Sequence, residues 1–190
     1  MIKSLHTQLA RPVRRGLLLF FLLSSSVAVA SQALSIGQTA PDFRLMDQHN
    51  QPHQLSDYQG KWLVLYFYPK NDTPGCTTEA CSFRDNINRL IQQDAVVLGV
   101  SVDSQASHAA FAEKHDLPFS LLADTDADVA AQYGALLDLV VVKFAKRQTF
   151  IIAPDGTLAK IYRNVDPDTH VKQVLTDLKQ LKTVATLEGD

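Results

Sequence analysis

The 190 residues carry a formal net charge of −2 with both signs interspersed along the chain, so the electrostatic footprint of a nucleic-acid binder is missing. The chain is long enough for one globular domain with a substantial core. It holds only two cysteines, at most one disulfide, which excludes the multiply stapled scaffold common among small exported domains.

In chain order, residues 1–30 read as a secretory signal: a basic start with Lys3, Arg11, Arg14 and Arg15, an apolar run from Leu17 to Leu23, and a small-residue tail. The run is shorter than the roughly 20 residues of a membrane span, although counting on through Ala30 keeps an uncleaved anchor open. Cleavage after Ala30 or Ala33 fits the small-x-small rule, and the expected destination is the periplasm. Arg14-Arg15-Gly16-Leu17-Leu18 also has the outline of a twin-arginine signal. Residues 31–190 remain as a single domain.

Within that domain, residues 42–47 read as a short strand and 52–60 as a turn. Lys61 to Pro69 is a nearly unbroken apolar and aromatic run, the mark of a strand buried on both faces. Ala80, Phe83, Ile87, Leu90 and Ile91 recur at helical spacing over Thr77–Ile91, and residues 95–103 form a second buried strand. A helix capped by Ser104 follows, then a short strand over 118–124, then a short helix bounded by Thr125 and Gly134. Residues 147–163 are two strands joined at Pro154-Asp155-Gly156, and 166–181 form an amphipathic helix with Val171, Val174, Leu175, Leu178 and Leu181 on one side. This alternation predicts an α/β domain with a central mixed sheet flanked by helices. In such sheets, sites lie where a strand ends and the next helix begins.

Both cysteines occupy that position, in "YPKNDTPGCTTEAC". Cys76 falls at the opening turn of a helix, where unpaired N–H groups and the helix dipole favour an anion, here a thiolate. Pro74 and Gly75 bend the chain into the helix and are expected to leave the sulfur at a concave mouth rather than in the core. Cys81 lies about 140° around the helix and about 7.5 Å along it. The Cα separation then exceeds the roughly 7 Å that a disulfide spans. A static staple is disfavoured while the helix is intact, and a pair that bonds only after local unwinding suits a catalytic cycle better. The C-x-x-C of thiol-disulfide exchange proteins is absent. No metal site is expected, because two cysteines need two further ligands and His49 and His53 lie in a polar turn.

The segment "FYPKNDTPGCTTEACSFRD" resembles the active site of the peroxiredoxins, in particular the bacterioferritin-comigratory or peroxiredoxin Q branch. The family pattern P-x-x-x-T-x-x-C is met by Pro69, Thr73 and Cys76, and the branch's second cysteine by Cys81. The likeness extends from Ile36 through "LGVSVDS" and "RQTFIIAPDGTL" to the last helix. It implies a thioredoxin-like fold and reduction of hydrogen peroxide or organic hydroperoxides by a cysteine thiolate; no cofactor and a monomeric state are expected. Cys76 would be the peroxidatic cysteine, oxidised to sulfenic acid, and Cys81 the resolving cysteine that condenses with it. A thioredoxin-like donor would then restore both thiols. By the same resemblance Thr73 holds the attacked oxygen, Arg147 supplies a fixed cation, Pro69 shields the pocket from water, and Glu79 braces the arginine.

Two other readings stay open: a peroxide sensor or relay that oxidises a partner protein, and a binding domain with an inert cysteine pair. Of Tyr66, Phe67 and Tyr68, at least one is expected in the core, and Phe83 is expected in helix packing. His108, His115 and His170 are expected at solvated helix positions. Leu136–Lys146 departs from the more polar, glycine-bearing lead-in to the family arginine; it could complete the core, line a pocket or contact a partner.

Overall fold

The computed structural model describes residues 33–188, so the leader read over residues 1–30 lies outside the described residues. The element that organises the rest is β3 (Trp62–Phe67), whose six residues are all buried. Successive side chains of a strand point to opposite faces. Trp62, Val64 and Tyr66 therefore enter one apolar cluster with residues of three helices and the final helix, while Leu63, Leu65 and Phe67 enter a second cluster on the other face. The unbroken apolar run is the consequence of burial on both sides.

Around β3 are β1 (Arg44–Asp47), β2 (Pro52–Gln54), β4 (Ala95–Ser101), β5 (Ser120–Ala123), β8 (Gln148–Ile152) and β9 (Leu158–Tyr162), in the order β2-β1-β5-β4-β3-β8-β9. β3, β4 and β5 run parallel, whereas β8 is antiparallel to β3 and β1 to β5, so the sheet is mixed as expected. The helices are α1 (Pro74–Asp85), α2 (Ile87–Ile91), α3 (Gln105–Lys114), α4 (Asp128–Gln132) and α5 (His170–Glu188). Ser104 caps α3 by accepting from Ser107 N–H at 3.3 Å. Among the described residues, no helix is long and apolar enough to cross a membrane.

The structure alters four sequence expectations. The helix expected over Thr77–Ile91 begins at Pro74, with Thr73 as its extended cap, and breaks at Asn86 (φ −110°, ψ 8°). Proline is pre-set for the first helical position, and the Asn86 side chain donates to Ser82 O at 2.9 Å, competing with the backbone ladder. The turn expected over 52–60 contains β2, which has no apolar period and exists through pairing with β1. α4 is capped from Asp124, whose carboxylate accepts from Val129 and Ala130 N–H, and not from Thr125. Finally, Leu136–Lys146 forms a separate hairpin, β6 (Leu136–Asp138) and β7 (Lys143–Ala145), and only Ala145 of these two strands is buried.

Candidate active site

The loop from β3 into α1 is held from below by a buried polar array. Tyr68 Oη donates to Asn71 Oδ1 at 2.7 Å, and Asn71 N–H donates to Asp103 Oδ2 at 2.9 Å. The Asn71 amide also donates to Ser107 Oγ and reaches His108 Nδ1 at 3.1 Å. His108 Nε2 lies 3.2 Å from Leu122 O, which can only accept, so Nε2 carries the proton and Nδ1 accepts. Burial depresses the His108 pKa, in keeping with a neutral ring. The expectation of a solvated His108 is thus corrected: its side chain is fully enclosed.

From this loop Thr73, Pro74 and Gly75 deliver Cys76 into the first turn of α1. The expected position of its sulfur is also corrected. Cys76 is only 1% exposed and belongs to the core cluster formed by Tyr66, Tyr68 and Phe83, so a substrate must reach a recessed thiol. Both cysteines are free; Cys81 is half-buried on the same helix.

Arg147 arrives from the segment between β7 and β8. Its Nη2 donates to Cys76 Sγ at 3.1 Å and its Nη1 to Glu79 Oε2 at 2.5 Å. One guanidinium therefore spans sulfur and carboxylate, a fork that an ammonium could not reproduce. A Cβ on Gly75 would lie 3.3 Å from Arg147 Nη2 and from Pro167 Cγ, so the glycine leaves room for the arginine. Burial disfavours the Arg147 cation, but Glu79 and Cys76 outweigh it and raise the arginine's pKa. Glu79 is fully enclosed; burial lifts its pKa to about 7 against the pull of Arg147.

Beneath Glu79 stands His170, read from the sequence as solvated and in fact fully buried. Its Nε2 lies 2.8 Å from Thr149 Oγ1 and 4.0 Å from Glu79 Oε1. Burial and then Arg147 press the His170 pKa down to about 4, so the ring is neutral. His115, the third of the group, is partly buried and faces Asp72.

The structure thus brings Cys76, Arg147 and Glu79 into contact. Thr73 sits half-buried at the cap with its hydroxyl donating to Lys70 O at 3.1 Å, which leaves its lone pairs free to accept. Pro69 is half-buried at the end of β3. Tyr66, Phe67 and Tyr68 are all core residues, as is Phe83. His170 and His108 were missed because histidine is polar. Position offered the clue: His170, Val174 and Leu178 share one face of α5, and His108 and Phe111 one face of α3.

A model of the AhpC/TSA family matches residues 36–161. Peroxiredoxin Bcp of Bacillus subtilis is 46% identical over 156 residues, covering 78% of this chain and 97% of that protein. The chain belongs to the AhpC/TSA family, in its peroxiredoxin Bcp and Q branch. Among solved structures, a cysteine-to-serine mutant of Xylella fastidiosa PrxQ superposes with a TM-score of 0.74 at 35% identity, covering 78% of this chain and 98% of that one. The Xanthomonas campestris bacterioferritin comigratory protein, studied for its alkyl peroxide reduction activity, gives a TM-score of 0.68 at 32% identity over 73% of this chain and 90% of its own. These peroxiredoxins share the mixed sheet and flanking helices, so the thioredoxin-like fold read from the sequence holds.

Proposed function

We propose that the protein is a two-cysteine thiol peroxidase. The observation that carries the reading is the contact of Arg147 with both Cys76 Sγ and Glu79, because it fixes a cation where charge leaves sulfur for oxygen. The Cys76 thiolate attacks one peroxide oxygen; an S–O bond forms, the O–O bond breaks, and the departing alkoxide or hydroxide takes a proton from water. The product is a sulfenic acid. Thr73 accepts the hydroperoxide O–H, and half-buried Pro69 keeps bulk water from the sulfur. The Cys81 thiol then attacks Cys76 Sγ, expelling water and forming an intramolecular disulfide after the first turns of α1 unwind. A thioredoxin-like dithiol supplies two electrons and two protons to restore both thiols.

Support for alkyl hydroperoxides as substrates beside hydrogen peroxide comes from the activity studied in the Xanthomonas relative. The basic, apolar and small-residue order of residues 1–30 supports export to the periplasm. N-terminal sequencing of the mature protein tests that part. For the chemistry, stopped-flow oxidation by hydrogen peroxide with mass spectrometry of the products decides. Rapid formation of a Cys76–Cys81 disulfide, sulfenic acid trapped in Cys81→Ser, and no reaction in Cys76→Ser are expected. Full activity in Cys76→Ser would overturn the proposal, and fast oxidation without turnover by any dithiol would favour a sensor or relay.

A further inference from the structure

The hairpin of β6 and β7 breaks two local rules at once. Its tip, Leu139, Val140, Val141 and Val142, is 56, 96, 90 and 47% exposed in that order. Hairpin turns ordinarily carry glycine, asparagine or aspartate at such positions. Val140 has φ of 69°, a left-handed conformation that is an outlier for a β-branched residue. Val141 N–H donates to Leu139 O at 2.8 Å, which with that φ is the rare, strained form of γ-turn. A glycine would relieve the backbone and a polar residue would suit water. Valine in spite of both points to work for the side chain itself.

Three of the tip's backbone donors are satisfied from within the hairpin. Leu139 N–H donates to Val142 O at 3.0 Å and Val140 N–H to Asp138 Oδ1 at 2.8 Å, so three successive donors are satisfied within the hairpin. Water would satisfy them without such help, whereas hydrocarbon cannot. At the base of the hairpin, Lys143 and the following Lys146 are exposed, and neither makes an ion pair among the described residues. Asp138, the hairpin's single acidic residue, is engaged at Val140.

We propose that this tip docks the domain onto an anionic lipid bilayer, with Leu139 to Val142 inserted among acyl chains and Lys143 and Lys146 at the headgroup phosphates. Four side chains offer on the order of 400 Å², about half of what each partner buries in a stable protein interface. That area suits reversible insertion at a lipid surface better than a second protein. Arg147 follows Val142 by five residues, so docking holds the Cys76 side of the domain within about 20 Å of the membrane. Peroxidised membrane lipids become the substrates nearest the thiol, a consequence that rests on the peroxidase reading; the docking does not.

Residues 33–190 form one compact unit and correspond to nearly the whole Bacillus subtilis relative, so this unit folds without the leader, whose Leu17–Leu23 run would bind lipid by itself. The test is flotation of residues 33–190 with phosphatidylcholine vesicles containing a phosphatidylglycerol minority. The unit should float with these vesicles, less at high salt or with Lys143→Glu. Val140→Asp combined with Val141→Asp should reduce the bound fraction about tenfold or more, with thermal melting and oxidation by hydrogen peroxide unchanged. A Val141→Trp probe, read against the buried Trp62, should shift to shorter wavelength on adding vesicles. No flotation, or flotation that survives the double aspartate variant, overturns the proposal. A valine-dependent dimer in sedimentation velocity without flotation also overturns it and assigns the face to a second copy. Failure of Cys76 to react with peroxide would sink the peroxidase reading and leave flotation untouched.

Discussion

Arg147 concentrates the chemistry of the site in one side chain. Replacing it with glutamine removes the cation from Cys76 Sγ and leaves fully buried Glu79 without its partner. Loss of one preorganised donor of this kind costs about two to three orders of magnitude in rate. Stopped-flow oxidation of Arg147→Gln should therefore slow by about 100- to 1,000-fold, and a change under threefold would place the transition-state charge elsewhere. Glu79 and His170, 4.0 Å apart, act on stability with opposite signs. Glu79 is held up at about 7, above the ~4.3 of an unfolded carboxyl, so the folded chain binds the extra proton between those values and stability falls as pH rises through them. His170 is held down at about 4, below the ~6.5 of an unfolded histidine, so the unfolded chain binds the extra proton and stability falls as pH drops through that window. The two slopes oppose each other between about pH 4 and 7. Glu79→Gln removes one of them, and denaturant melts of this variant should lose up to about 3 kcal/mol more than the wild type between pH 7 and 4. Parallel pH curves for the two proteins would mean that Glu79 titrates as an ordinary carboxyl.

At the scale of the element, α1 must both hold Cys76 and release it. The resting helix keeps the two thiols apart, and Asn86 separates α1 from α2, so unwinding has a boundary at which to stop. Local opening of single cooperative units is the general route by which such segments rearrange. Hydrogen exchange followed by mass spectrometry should show amides of residues 74–85 losing protection on oxidation while those of 87–91 keep theirs. Equal loss across both helices would remove Asn86 as the boundary. Gly75 belongs to the same element: a Cβ there meets Arg147 and Pro167 at 3.3 Å. Gly75→Ala should slow oxidation by about tenfold with little change in folding, since sub-ångström misplacement of a catalytic group is enough. An unchanged rate would show that Arg147 has slack.

For the molecule as a whole, the sheet's interior ties stability to the site. Gly99 on β4 stands beneath Tyr66, and a Cβ there would fall 2.8 Å from the Tyr66 ring and from Leu121 Cδ2. Gly99→Ala should destabilise by about 1–3 kcal/mol through overpacking, measured by thermal or denaturant melts. Tyr66 Oη is buried without a hydrogen-bond partner among the described residues, so Tyr66→Phe should be neutral or stabilising by up to about 1 kcal/mol. A clear loss of stability in Tyr66→Phe would reveal a partner for the hydroxyl.

The local chemistry of the chain was legible from residues alone. The alternation of strands and helices declares a mixed sheet, because each pattern has its own period and each period its own buried face. Cys76 and Cys81 stood out through position and spacing, whereas Pro69, Thr73 and Arg147 were singled out by the family resemblance; the structure brings Arg147, far along the chain, to Cys76 in the first turn of α1. Only the tertiary structure decided that Cys76 is enclosed, that His108 and His170 are buried and neutral, and that the Leu139–Val142 run lies outside the core on a hairpin. The physical reason is the same in each case. A residue's type states what surroundings it favours, but burial, hydrogen-bond satisfaction and charge state depend on which distant groups the packed fold places against it.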